Sequence, residues 1–216
     1  MDTSNNQIEE VKGSSSFKMI MTLAIAGLFS GFFLATTFIY TDPVIQNNKK
    51  EEMFAAVFEV LPGCEVIESM DFINNSFVHV TDQSSPVNPI FIGKNKEGDI
   101  VGFAFPASEP GFQDLITALI GYNPTTDRII GLKILDSKET PGLGDKIFKD
   151  EAFKSNFLDL DVSGSIEFAK KGEKTTNNQV EGITGATISS KAVTNLLINS
   201  IGKWKEPIKN YGNGGK

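Results

Sequence analysis

Between Glu181 and Ser190 the chain reads Glu-Gly-Ile-Thr-Gly-Ala-Thr-Ile-Ser-Ser, small residues and hydroxyls that run straight into a helical pattern. A helix start presents unpaired backbone N–H groups and the positive end of the helix dipole, which suits a phosphate. Gly185 and Ala186 let a bulky ligand approach the backbone, and Thr187 sets a hydroxyl where a phosphate can be hydrogen-bonded or esterified. A plain loop followed by an N-cap has the same local pattern. Upstream, Lys138-Glu139-Thr140-Pro141-Gly142-Leu143-Gly144-Asp145-Lys146 follows an expected strand. Its proline and glycines shape a turn whose N–H groups can bond the carbonyls of a planar heterocycle, with Thr140 as a side-chain donor.

The other reactive side chains are few. His79, Cys64 and Arg128 are each the single residue of their type. One cysteine excludes an intramolecular disulfide framework and a thiolate zinc cluster, and one histidine excludes His-rich metal sites. In Phe77-Val78-His79-Val80, strand alternation sets His79 opposite the two valines, at a partly wet surface. Cys64, after Pro62-Gly63, reads as a loop or core residue, since nothing near it in sequence lowers its pKa. Asp159 and Asp161 alternate with Leu158 and Leu160 as a solvated edge. A net charge of −7 without clustered arginines argues against nucleic acid as a partner. Any redox chemistry therefore has to come from a cofactor.

The elements that must position these residues follow from periodicity. From Ser189 onward Ala192, Val193, Leu196, Leu197, Ile201 and Trp204 recur on one helical face, with Ser189 or Ser190 as an N-cap. Residues 89–108 predict a hairpin, and Leu115–Asn123 with Ile129–Leu135 predict another, turning at 124–128. A short helix is expected over 146–157, and strands over 76–80 and 164–170. Hairpins followed by a helix indicate an α+β domain with a mostly antiparallel sheet and flanking helices. At the other end, the 22 residues Met19–Tyr40 carry no charge. As a helix they span about 33 Å, enough to cross a bilayer once. The run is too long for a signal peptide, its flank is slightly acidic, and its exit lacks a small-x-small cleavage site, so it reads as a retained anchor. Gly27 and Gly31 give it a small-residue face of the kind that lets another membrane helix approach, although glycine is common in such helices. A second, amphipathic helix is expected over 50–61, stopped by Pro62-Gly63. The flanking lysines, two on each side, do not orient the anchor, and Lys18 against its start leans weakly towards an inside N-terminus.

Side by side, Thr184-Gly185-Ala186-Thr187 and the complete Glu-Thr-Pro-Gly-Leu-Gly run of Glu139–Gly144 resemble the covalent FMN-binding domain found in the G subunit of the Rnf complex and in the C subunit of the sodium-pumping NADH:quinone reductase. The resemblance covers the anchor and roughly residues 90–205. It implies an FMN held by a phosphoester on Thr187, with Thr184, Gly185, Ala186, Glu139, Thr140, Gly142 and Leu143 as further cofactor-binding residues. It gives no metal site and no catalytic side chain. Two positions depart from the family pattern: Glu181 stands where the family usually has Asp, and Ser137 where it often has His. Pro110-Gly111-Phe112-Gln113-Asp114 looks like a degenerate form of the family's glycine-aromatic loop.

The implied function is a membrane-anchored flavoprotein subunit of an ion-translocating oxidoreductase, relaying electrons and not catalytic alone. Its implied partners are the other membrane subunits and a transferase that installs the flavin from FAD. The chain length and Ile188-Ser189-Ser190-Lys191 favour the Rnf-type member. The alternatives are the quinone-reductase counterpart, or a non-redox membrane-anchored assembly module with a vestigial flavin site. The implied layout is a cytoplasmic tail (1–18), a transmembrane helix (19–40), a membrane-proximal helix and connecting region (41–88), the FMN-binding domain (89–206) on the extracytoplasmic side, and a disordered tail (207–216).

Overall fold

The structure, a computed structural model, describes residues 16–80 and 89–214. Residues 1–15 of the expected tail, 81–88 of the expected connecting region and 215–216 lie outside them. The chain divides into two units, Met1–Lys50 and Glu51–Lys216.

Helix α1 spans Ser16–Val60. In the first unit its apolar run is long enough to cross a membrane. The hydroxyls of Thr22, Thr36, Thr37 and Thr41 each donate to the carbonyl four residues earlier, at 2.8 Å. That pairing hides polar groups where lipid offers none. Neither Gly27 nor Gly31 has anything within 4 Å of where a Cβ would stand, so their face is open. The amphipathic helix expected over 50–61 is not a separate element but the end of α1. The backbone remains helical through Pro43, which lacks one N–H, and no glycine between Tyr40 and Glu51 offers an alternative turn.

The second unit is built on a seven-stranded antiparallel sheet. Its strands are β1 (Val66–Ile73), β2 (Ser76–His79), β3 (Pro89–Lys94), β4 (Ile100–Pro110), β5 (Leu115–Asn123), β6 (Arg128–Asp136) and β7 (Leu160–Asp161), in the order β2-β1-β3-β4-β5-β6-β7. The connecting region and the domain that follows it in sequence therefore share one sheet, because β1 pairs with β3 along Val66–Asp71. Short helices α2 (Lys146–Lys149) and α3 (Glu151–Lys154) follow β6. A two-stranded parallel ribbon of β8 (Glu167–Ala169) and β9 (Gln179–Glu181) leads into helix α4 (Thr187–Gly214).

Alternation sends successive side chains to opposite faces of the sheet. Ile90, Ile92, Phe103, Phe105, Ala118, Ile120 and Tyr122 form one core with Val193, Leu197, Ile201, Trp204 and Ile208 of α4. Phe91, Ala104 and Leu119 point the other way, towards Ala56, Val57, Val60 and Leu61 at the end of α1. On that second face a row of glycines crosses the strands, with Gly93 opposite Gly102 and Gly121 opposite Gly131. A Cβ at Gly131 would stand 2.7 Å from the Val60 Cα and carbonyl oxygen, and one at Gly93 would stand 2.6 Å from Leu61 Cδ1. A Cβ at Gly121 would also run into the Val60 carbonyl. The row is bare so that the end of α1 can lie directly on the strand backbones.

Residues 207–214 continue α4, where a disordered tail is expected from the sequence. Tertiary contacts hold this last stretch: Ile208 is fully buried, and the Tyr211 ring lies 4.9 Å from that of Phe77. Lys209 bonds the Asp127 carboxylate, and one turn earlier Lys205 Nζ donates to Val162 O at 2.7 Å.

Candidate functional site

Three segments meet at the start of α4. The first is the turn after β6. Leu143 N donates to Thr140 O at 3.1 Å, with Pro141 and Gly142 between them. Gly142 has φ +78°, so proline and glycine occupy the two central positions of a type II turn as that turn requires. The second is the corner between β4 and β5, where Gly111 N donates to Asp114 O at 2.9 Å. Lys138 bonds Asp114 across 2.9 Å and holds its carboxyl below the usual carboxylate range. The third is Thr184-Gly185-Ala186-Thr187 with the first turn of α4. Ser190 Oγ accepts from Ile183 N at 3.1 Å and donates to Ala186 O at 2.9 Å, which locks the backbone entering the helix.

These segments enclose a depression of about 320 Å³. That is near the lower limit of small-molecule sites, about 300–1,000 Å³, and suits one planar ring system rather than a whole dinucleotide. Of the eight sequence-expected cofactor residues, Glu139, Thr140, Leu143, Gly185, Ala186 and Thr187 line it, so six are brought together. Thr184 lies outside, in a neighbouring depression of about 270 Å³ that also holds Lys170 and Lys171 and shares Gly185 and Thr187 with the first. Gly142 lines neither and serves the turn. Thr187 thus stands exposed between a mostly apolar hollow and one that holds two lysines, at the first residue of α4.

The apolar walls are Phe112, Leu143 and Ile188, which are 64%, 51% and 55% exposed. Three large apolar side chains held open around one hollow fit the faces of a flavin ring. The unpaired N–H groups at the start of a long helix fit its phosphate. Glu139 faces inward instead. Its Oε1 accepts from Phe112 N (2.8 Å) and Gln113 N (3.1 Å), and its Oε2 from Ser189 Oγ (2.5 Å). Glu181 likewise turns away from the hollow, accepting from Gly172 N at 2.6 Å and from Lys171 at 3.1 Å. The Gly172 N–H and then Lys171 hold its carboxyl below the usual range. Ser137 accepts at Oγ from Glu139 N at 3.4 Å.

Asn156 takes part without any signal in the sequence. It is buried, donates to Glu181 O (3.1 Å) and accepts from Glu181 N (3.1 Å), fixing the strand that leads to Thr187. A single asparagine in a mixed segment gives no local hint of that role. His79 is exposed on β2, away from all three segments, and Cys64 is buried beneath Leu61.

Comparison with known proteins adds to this geometry. The chain is 30% identical over 184 residues to the G subunit of the ion-translocating oxidoreductase complex of Methanosarcina acetivorans, covering 85% of this chain and 92% of that one. The chain belongs to that G-subunit family. A second member, the G subunit of the Na(+)-translocating ferredoxin:NAD(+) oxidoreductase complex of Acetobacterium woodii, is 27% identical over 190 residues, covering 86% and 89%. Within this G-type chain, residues 111–202 match the FMN-binding domain, which takes in all three segments of the hollow. The fold is shared with NqrC of Shewanella oneidensis, at a TM-score of 0.58 and 16% identity over 70% of this chain and 91% of that one. The C subunit of the Na(+)-translocating NADH-quinone reductase from Parabacteroides distasonis is alike at a TM-score of 0.53 and 24% identity, covering 67% and 78%.

Proposed function

We propose that this chain relays electrons within an ion-translocating oxidoreductase complex through an FMN esterified to Thr187, with its domain on the extracytoplasmic side of the membrane. The observation that carries this reading is the place of Thr187: an exposed hydroxyl at the first residue of a long helix, on the rim of a hollow walled by Phe112, Leu143 and Ile188. A bound flavin takes up two electrons and gives them up singly, and the protein supplies position and electrostatics. Phe112, Leu143 and Ile188 would flank the ring and exclude water from one side. The N–H groups of the first turn of α4 would meet the phosphate charge, and the Thr140–Leu143 turn would border the ring edge.

Attachment needs a flavin transferase and FAD. Thr187 Oγ displaces AMP at the flavin-side phosphorus: one P–O bond forms, one breaks, and the hydroxyl proton passes to a base of the transferase. Permanent attachment removes the dissociation equilibrium, which matters where no FMN pool replaces a lost cofactor. The anchor in turn raises the local concentration of the domain beside membrane partners. The reading is tested by co-expressing the chain with a flavin transferase and separating it under denaturing conditions. Yellow fluorescence that migrates with the chain, and is absent from Thr187→Ala, is expected. A chain that remains colourless overturns the covalent assignment.

A further inference from the structure

Among the residues around the hollow, Glu139 is unusual in being an acidic side chain only 5% exposed. A buried carboxylate is tolerated when its oxygens accept hydrogen bonds, and here three neutral donors from two other parts of the chain supply them. The successive N–H groups of Phe112 and Gln113 converge on Oε1, an arrangement that concentrates two backbone dipoles on one anion. Ser189 Oγ, from the first turn of α4, donates to Oε2. Two glycines mark how closely the surroundings fit. A Cβ on Gly111 would strike Oε1, and one on Gly144 would strike Oε2 and stand 2.8 Å from Ser189 Oγ.

We infer that Glu139 is a positioning residue of the flavin site: its carboxylate clamps the Phe112 corner and the first turn of α4 onto the Thr140–Leu143 turn, and so sets the gap between the apolar walls. It acts on a flavin through Phe112 and through the helix that carries Thr187. The inference rests on the FMN reading for its consequence, but the clamp itself belongs to the protein alone. Ester formation uses the Thr187 hydroxyl, which the clamp does not bond, so loss of the clamp leaves attachment intact and frees the ring that is attached.

The test has two arms, both on the full chain in detergent. In flavin-free protein, hydrogen–deuterium exchange at Phe112 and Gln113 is slow in wild type. It rises at least about tenfold in Glu139→Ala, the scale of a lost hydrogen bond to a charged group. Glu139→Gln remains within a few-fold of wild type, because its amide oxygen accepts both N–H groups and its NH₂ donates to Ser189 Oγ. In flavin-loaded protein, denaturing-gel fluorescence is equal in all three. Native fluorescence anisotropy falls and the midpoint potential moves towards that of free FMN in Glu139→Ala but not in Glu139→Gln. Should Glu139→Ala fail to fold, Ser189→Ala removes one bond of the three and is expected to lower anisotropy by a smaller amount. Unchanged exchange in Glu139→Ala, unchanged anisotropy and potential in the loaded variant, or a potential in Glu139→Gln displaced as far as in Glu139→Ala, would each overturn the inference. A colourless wild type defeats the FMN reading and leaves the exchange arm standing.

Discussion

Ser189 and Glu139, 50 residues apart in sequence, are joined by a hydrogen bond of 2.5 Å in which the serine hydroxyl donates to the buried carboxylate. Ser189→Ala leaves Glu139 Oε2 facing a methyl group with no donor in reach. An unsatisfied buried acceptor of this kind costs about 1–3 kcal/mol. The expected result is a lower urea midpoint with an unchanged slope, read by far-ultraviolet circular dichroism. A midpoint equal to wild type would show that the contact contributes nothing to stability.

The glycine row under the end of α1 should be intolerant in a graded way. Gly131→Ala sets a methyl against the Val60 backbone, which cannot yield without lifting the helix end. Gly93→Ala meets the tip of the Leu61 side chain and Cys64 Sγ, and the leucine can turn aside. Overpacking typically costs about 1–3 kcal/mol, so Gly131→Ala belongs at the upper end of that range and Gly93→Ala at or below the lower. Denaturation midpoints of the two variants decide it, and the reverse order would contradict the packing described.

Asp127 at the β5–β6 turn accepts from Tyr122 Oη at 2.6 Å and pairs with Lys209 and with Lys205, the latter at 3.4 Å. Burial pushes the Asp127 carboxyl up, but the bonds from Lys209 and Tyr122 outweigh it and leave the carboxyl below its ordinary value. Such a group contributes stability above the unfolded value of about 3.9, and that contribution is lost as pH falls through the lower folded value. Tyr122 shifts the opposite way. Burial and then the Asp127 carboxylate raise its phenol, so its contribution is complete below about pH 10 and is lost at higher pH. Melting temperature against pH should fall at both ends. Asp127→Asn is expected to flatten the acid limb below about pH 4, and Tyr122→Phe the alkaline limb above about pH 10.

Cys64 is 9% exposed, its thiol donates to Val66 O at 3.3 Å, and burial pushes its pKa up. Thiolate is the reactive form, so native protein should label slowly with maleimide and denatured protein rapidly. A second cysteine on the surface, as in Lys170→Cys, then reports sidedness against a silent background. Labelling of intact cells by a membrane-impermeant reagent is the result expected for an extracytoplasmic domain. Labelling only after lysis would reverse the proposed orientation.

How far the sequence could be read depended on how local each cause was. The β3–β4 and β5–β6 hairpins have alternating side chains and turn residues within a few positions of one another. The Thr140–Leu143 turn needs only Pro141 and Gly142. These are legible because each is decided within one window of sequence. The run through Pro43 and the extension of α4 past Pro207 were not legible, since both prolines argue locally for an end. At the second, Lys209 and Tyr211 override the proline through contacts with residues 80 or more positions away, and Ile208 through its burial. The glycines of β3 to β6 were visible one by one, but their meaning appears only when register lines them up beneath Val60 and Leu61. The loop that carries Glu139 stands out by its own composition. The inward direction of that side chain follows from partners at 112, 113 and 189, which no local pattern connects to it.

The hollow is lined by Phe112, by Glu139, Thr140, Leu143 and Gly144, and by residues 185–189, and its last contribution comes from helix α4. A nascent or truncated chain that stops short of α4 has no such surface, and a misfolded one presents Thr187 on an unshaped peptide. A ring held still in the hollow would therefore be a certificate of completed folding, whereas an ester on Thr187 alone would certify nothing about the fold around it.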